Sequence, residues 1–310
     1  MRTPPTHTPY DGSSTPFTIG LRPLDIATWL EIDDHYEAYL VEKRRLIAKD
    51  VEAVFRAEPE TEAAQAEVLG LVREHLVDGF PAVFPGTRQW EAALAALDAV
   101  ASEDHPRLLA ASLLVQEDLV LMRRGEEGWR LAAASLCFPS SWSLAEKFGK
   151  PMHEIHAPVP GFGAGTRNAD LIARMFDNLR LDRPVERLNW SLQTDAELHK
   201  PMSSQALDER AASRTPRFGD APAQNAFVRV ERQTLRKLPV SGDILFTIRI
   251  FLDPMPVLDR HPERASLARS FAAQLASLDE RQLDYKGLTA DRDRLVAALE
   301  RKAGEPVAAG

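Results

Sequence analysis

The 310 residues include 46 acidic and 38 basic side chains, giving a formal charge of −8, with 44% hydrophobic and 27% charged residues. That balance belongs to an ordinary globular chain long enough to bury a sizeable core, and its acidity argues against nucleic acid or an anionic membrane as partner, since both need concentrated Lys and Arg. The one cysteine, Cys137, excludes an intrachain disulfide and any thiolate cluster built from this chain alone, and it fits a cytoplasmic setting.

Residues 1–18, rich in Pro, Thr, Ser and Gly and without the apolar stretch of a signal peptide, read as a disordered arm. No apolar run approaches the roughly 20 residues needed to span a bilayer. Residues 19–116 read as a helical N-terminal region packed on a core. Trp29, Ile32, Tyr36 and Leu40 recur at helical spacing, and amphipathic runs follow at 60–77, 89–101 and 107–115. The loop 80–86 is apolar enough to be expected packed down.

The pattern changes at Asp118. Residues 119–123 and 129–138 are strand-like and are joined by Gly125, Glu126, Glu127 and Gly128, a hairpin signal. A mostly non-strand stretch ends in a helix capped by Asn168, with Asp170 in its first turn and Leu171, Ile172, Met175, Phe176 and Leu179 as its buried stripe. Strands 186–194, 227–238 and 243–252 come next, with a long polar excursion at 196–224 and a second hairpin turn at Pro239–Gly242. Helices at 264–278 and 290–302 lie in a C-terminal helical region, 256–310. Two strands, a helical insertion and three strands, over a core of 117–255, is the order of a PAS-type domain. The expected fold is therefore α+β, a PAS-like antiparallel five-stranded sheet cupping a pocket beneath inserted helices, flanked by N- and C-terminal helices.

The densest chemistry lies between Cys137 and Pro160. Pro158 and Pro160 stiffen the exit from His156 and stop a helix from continuing through it. A histidine at the end of a short helix with its exit locked is pre-organised as an axial metal ligand, the alternative being a structural or surface histidine. His153 lies three residues earlier, a near neighbour on a helix, while Glu154 points elsewhere on it. The Gly161-Phe162-Gly163-Ala164-Gly165 run lacks both the Rossmann spacing and the P-loop Lys-Ser/Thr, and reads as a connector. In the later strands, alternation places Arg229, Glu231 and Gln233 on one face and Val228, Val230 and Arg232 on the other, while Arg249 shares a face with Leu245, Thr247 and Phe251. An arginine on an apolar face wants a buried anion, supplied by a ligand or by an acidic residue of the protein itself, for which Glu231 is available.

The strings FPSSWSLAEKFG from Phe138, IHAPVP from Ile155, LNW from Leu188, ERQTLRKLP from Glu231 and FTIR from Phe246 together resemble the family that includes the haem-binding subunit of haem-dependent oxidative N-demethylase, over roughly residues 16–278. The resemblance implies a PAS-like fold holding a non-covalent haem b, with O2 activated at the iron. It also implies oxidation of a secondary methylamine of the dimethylamine class to formaldehyde and a primary amine. NADPH, FMN and a [2Fe–2S] cluster are then expected on partner reductase subunits. The residues agree: Cys-x-x-Cys-His for covalent haem is absent, a single cysteine cannot house the cluster, and no nicotinamide fingerprint appears. Within the resemblance, His156 takes the axial position with His153 and His199 in reserve, Arg232 and Arg249 pair with propionates, and Trp190 lines the pocket. Competing expectations are a non-enzymatic haem or gas sensor and a haem-free interaction protein.

Overall fold

The computed structural model describes residues 4–83 and 106–304. The expected helix at 89–101 and the end of the apolar loop, 84–86, lie outside the described residues. Of that loop, Phe80 packs against the core while Val83 is exposed, so its described part is packed down only at its start.

Strand pairing starts from two hairpins. β3 (Asp118–Gly125) and β4 (Gly128–Ser135) pair in register Gly125↔Gly128 and Val120↔Ala134, and the reversal is possible because Gly128 takes φ +96°. β6 (Phe227–Lys237) and β7 (Ile244–Pro254) pair along their whole length, with Gly242 at φ +73° in the turn. β5 (Val185–Gln193) adds to β6, and β3 closes the set by pairing with β7. Two short strands from the N-terminal region, β1 (Arg22–Pro23) and β2 (Phe55–Ala57), cover the outer edges. The result is a seven-stranded antiparallel sheet in the order β1-β5-β6-β7-β3-β4-β2, so the mixed α+β expectation holds and the count of five strands is corrected to seven. The two added strands have two and three residues, too short for alternation to show.

The second strand also ends earlier than its apolar run. Leu136 to Phe138 leave the ladder because their backbone N–H groups are claimed elsewhere. Leu136 donates to the Val54 carbonyl at 2.7 Å, and Cys137 and Phe138 donate to the two carboxylate oxygens of buried Asp118 at 2.8 Å each. That exit turns the chain away from the sheet at the start of the histidine segment.

Around the sheet, α1 (Tyr36–Lys49) begins later than the apolar spacing suggested, since Trp29 lies in a buried turn outside it. Its Lys43 is fully buried and donates to the carbonyls of Ser112 and Val115 at 3.0 Å and to that of Glu117. α2 (Val51–Val54), α3 (Glu62–Gly79) and α4 (Arg107–Ser112) complete this region as described. The insertion holds α5 (Leu144–Lys147), α6 (Met152–Ile155) and α7 (Arg167–Asp177). Thr166, not Asn168, caps α7, its hydroxyl accepting from Ala169 N, while Asn168 donates to Gly161 O. The excursion after β5 contains α8 (Ser204–Ala212) and α9 (Pro222–Asn225). At the end come α10 (Arg264–Ala276), α11 (Glu280–Lys286) and α12 (Arg292–Gly304). α11 escaped the periodicity reading although Asp279 and Gln282 form a capping box at its start.

Residues 4–18, expected as a disordered arm, instead lie against the C-terminal helices. Tyr10 is buried and stacks on Phe271 with ring centroids 4.3 Å apart, and Gln274 donates to the carbonyls of Pro9 and Ser14. The chain then continues as a strap to β1. Among the described residues no helix is long and apolar enough to cross a membrane.

Candidate functional site

One face of the sheet opens on a cavity of about 430 Å³, within the range of small-molecule and cofactor sites. Strand parity sets its lining. Phe246 and Ile248 of β7, Val120 and Met122 of β3 and Leu131 of β4 give an apolar floor, while Arg187, Asn189 and Ser191 of β5 with Glu231 and Gln233 of β6 give a polar one. Cross-strand register brings Arg187 opposite Gln233 and Asn189 opposite Glu231. The insertion supplies Trp142, Ile155, Phe162, Ile172 and Phe176 as apolar cover, and the strap adds Phe17, Ile19 and Leu21. Among the described residues only Phe17 and Ser141 are non-glycines with positive φ, at 57° and 68°, and both line this cavity. Backbone strain of that kind is concentrated where a shaped site requires it.

His156 ends α6 and lines the cavity. Its Nδ1 lies 3.1 Å from the Met152 carbonyl, which fixes the tautomer with Nδ1–H donating and leaves Nε2 as the acceptor, without a protein partner among the described residues. Burial first, and then the nearby Lys147 ammonium, pull its pKa down to about 4, so the ring is neutral at physiological pH. A neutral imidazole with one nitrogen tied to a carbonyl and the other free is the state that ligates a metal. The other two histidines differ. His153 faces a separate hollow of about 100 Å³, in whose wall His156 also stands. His199 places Nδ1 2.8 Å from the Cys137 carbonyl and is not among the cavity-lining residues. Among the described residues no three His, Cys, Asp or Glu side chains converge as a metal site.

The remaining sequence-predicted residues point away from the cavity. Trp190 has the opposite parity to Asn189 and Ser191: it is buried edge-on to Phe271 and donates Nε1–H to Gln274 at 2.9 Å. Arg232 and Arg249 pair across β6 and β7 on that far face. Arg232 meets Glu186 at 2.7 Å and Glu31 at 3.1 Å and donates to the carbonyls of Thr28 and Trp29. Arg249 meets Asp33 at 2.7 Å, between the rings of Tyr39 and Phe251 at 4.6 Å each. Both arginines thus have protein anions, and the ion-pair reading of them is the one the geometry favours, with Asp33, Glu31 and Glu186 in place of Glu231. Cys137 is buried and its thiol is pushed up to about 12, chiefly by desolvation, so it is an inert core residue.

What periodicity missed is the cationic side of the cavity. Among the described residues, Lys147, Arg187, Lys200, Arg210, Arg217 and Lys286 line it against the single carboxylate of Glu231. Lys147 donates to the Ile155 carbonyl at 2.8 Å, beside the ring of Trp142, and Lys286 donates to the Trp190 carbonyl at 2.6 Å. Desolvation lowers both to about 8. The Leu188-Asn189-Trp190 string contained the signal, because alternation puts Arg187, Asn189 and Ser191 together opposite Trp190. The contributions of α8 and α11 could not be found that way, since they come from distant loops and helices.

Residues 20–296 match a model of the family described as haem-dependent oxidative N-demethylase, alpha subunit-like, and the chain belongs to that family. The family's name carries a dependence on haem and places its members among subunits of a larger assembly.

Proposed function

From that membership we propose that the chain is the haem-binding, oxygen-using subunit of an oxidative N-demethylase, acting on a secondary methylamine of the dimethylamine class. The observation that carries the reading is His156: a neutral imidazole with Nδ1 bound to a carbonyl and Nε2 unclaimed, standing in the wall of a large, mainly apolar cavity. The residues fit a porphyrin. Phe162, Ile172, Phe176, Val120 and Met122 offer apolar surface for a macrocycle, and the cationic side suits acidic substituents. The order of the five long strands, β5-β6-β7-β3-β4, with the helices inserted between β4 and β5, supports a PAS-like reading of the sheet.

When bound, haem b supplies the iron chemistry by which O2 is activated. Balanced, (CH3)2NH with O2, two electrons and two protons gives CH3NH2, CH2O and H2O. The chain's own residues do the rest. His156 presents Nε2, and its Nδ1–H bond to Met152 O keeps the ring from turning. The apolar cover from the insertion and the strap excludes water. Glu231, the only acidic residue of the lining among the described residues, offers an acceptor for a substrate N–H. No thiolate set exists here for a cluster, so the electrons come from reductase subunits carrying flavin and iron–sulfur centres and drawing on NADPH, in a cytoplasmic setting.

The test is a titration with iron(III) protoporphyrin followed at the Soret band. The expected result is stoichiometric binding with a histidine-ligated spectrum, which His156→Ala abolishes and added imidazole restores. His153→Ala and His199→Ala leave it unchanged. Absence of a Soret shift in the wild type refutes the reading. With a competent donor, O2 and dimethylamine, formaldehyde should form; reducible haem without amine-dependent formaldehyde would favour a sensor.

A further inference from the structure

Two of the cavity's guanidinium groups are left incomplete by the protein. Arg187 Nε and Arg210 Nε are both shielded from solvent and lack a hydrogen-bond partner. Arg187 Nε is the barer of the two, since among the described residues the Arg187 side chain makes no ion pair, whereas Arg210 is held through its other nitrogens. The nearest acidic influence is Glu231, which already accepts from Gln233 at 2.9 Å. A buried unpaired donor costs on the order of 1–3 kcal/mol, and more on a charged group. Arg232 shows the contrast, with Nε on Glu186 and its other nitrogens on Glu31, Trp29 and Thr28, while Arg229 and Arg249 share a bare Nε but have an acidic neighbour in Glu231 and Asp33 respectively.

Arg210 is also deliberately seated. Its NH2 donates to the Tyr285 carbonyl at 2.8 Å, and its aliphatic stem lies over Gly287, where a Cβ would come within 2.9 Å of Cδ. Gly287 ends α11 at φ +63°, and its carbonyl accepts from Arg217 at 3.1 Å. The bare glycine therefore lets two cavity-lining arginines lie together at the end of one helix. Lys286, the preceding residue, is held against the Phe17 and Trp190 rings at 5.1 and 4.5 Å. These cations lie by β5 and β6, at the end of the sheet order opposite the apolar floor of β3 and β4.

We propose that Arg187 and Arg210, with Lys286 as a neighbouring cation of the lining, form a carboxylate-binding subsite that receives the acidic side chains of the porphyrin and sets which edge of the macrocycle faces β5. The subsite rests on the haem reading above and deepens it, and it replaces Arg232 and Arg249 as the expected propionate partners. Carboxylates supply the acceptors that both Nε–H groups lack, and guanidinium pairs with carboxylate in a bidentate fork that lysine cannot reproduce.

The experiment compares iron(III) protoporphyrin with its dimethyl ester, in which both carboxylates are masked. The wild-type protein, titrated at the Soret band at pH 7, should bind the diacid at least tenfold more tightly than the diester. Arg187→Gln and Arg210→Gln should each reduce that ratio by several-fold, chiefly by weakening the diacid, with the ligand-field spectrum from His156 unchanged. His156→Ala, by contrast, should weaken diacid and diester alike. Equal affinity of the wild type for the two porphyrins overturns the subsite while leaving the haem reading intact, and this result needs no variant to fold. Binding of neither porphyrin overturns both.

Discussion

Lowering the pH should destabilise the fold through His156 in a defined window. In the folded chain its pKa is about 4, against 6.5 for an exposed imidazole, so between these values the unfolded chain binds a proton that the native chain refuses. The sign follows: stability contributed by this group is full above about pH 6.5 and is lost as pH falls toward 4. From the two values, the loss between pH 7 and pH 5 is about 2 kcal/mol, reaching about 3 kcal/mol near pH 4. Glu117 and Asp118, whose carboxyl pKa values are raised chiefly by burial, act in the opposite direction. The measurement is therefore a difference. Urea unfolding of the apoprotein is followed by far-ultraviolet circular dichroism from pH 7.5 to 4.5, for wild type and for His156→Gln, which can donate to Met152 O but cannot gain a proton. The gap between the two stability curves should close by about 2 kcal/mol from pH 7 to pH 5. Parallel curves would refute the placement of His156 as a buried neutral ring and, with it, the basis for calling it a ligand.

Gly287→Ala should destabilise by about 1–2 kcal/mol through its left-handed φ. It should also displace Arg210, lowering the diacid-to-diester binding ratio as Arg210→Gln does. Arg232→Met leaves Glu186 and Glu31 without their shared cation on the far face, and should cost about 3–5 kcal/mol by thermal or urea unfolding. Soret intensity per folded molecule should stay unchanged. Gln274→Leu removes the acceptor of Trp190 and the donor to Pro9 and Ser14, costing about 1–3 kcal/mol, and should expose residues 4–18 to limited proteolysis. Above pH 8, loss of the Lys286 proton should weaken porphyrin binding. In the apoprotein the same window runs the other way, because its folded pKa lies below the unfolded value and stability rises as pH climbs from 8 toward 10.5.

Local periodicity carried much of the central sheet. The alternation of Arg229, Glu231 and Gln233 against Val228, Val230 and Arg232 is the parity seen in β6, and the exit lock of Pro158 and Pro160 does follow a short helix ending at His156. Failures came where the deciding contact was distant in sequence. Whether Arg232 met a ligand or a protein carboxylate depended on Glu31, some 200 residues away, and Arg249 on Asp33 in the same way. The β-strand ending at Ser135 was overrun because the competitor for the Cys137 and Phe138 amides is a single carboxylate at Asp118. Composition alone made residues 4–18 look disordered, since Pro, Thr and Ser predominate there and the two aromatic anchors, Tyr10 and Phe17, are matched to Phe271 and Tyr285. Trp190 was chosen from the right strand with the wrong parity, a one-residue error that moves a side chain through the sheet.

The strap that brings Phe17, Ile19 and Leu21 to the cavity is tethered by some of the last helices of the chain, with Pro9 and Gln274 265 positions apart. During synthesis the first wall of the cavity therefore waits for its anchor until α10 has left the ribosome. Contacts of such long sequence separation form late and slowly. A chain stalled or cut before α10 would keep the strands and His156 yet lack the anchor that holds the strap against the cavity.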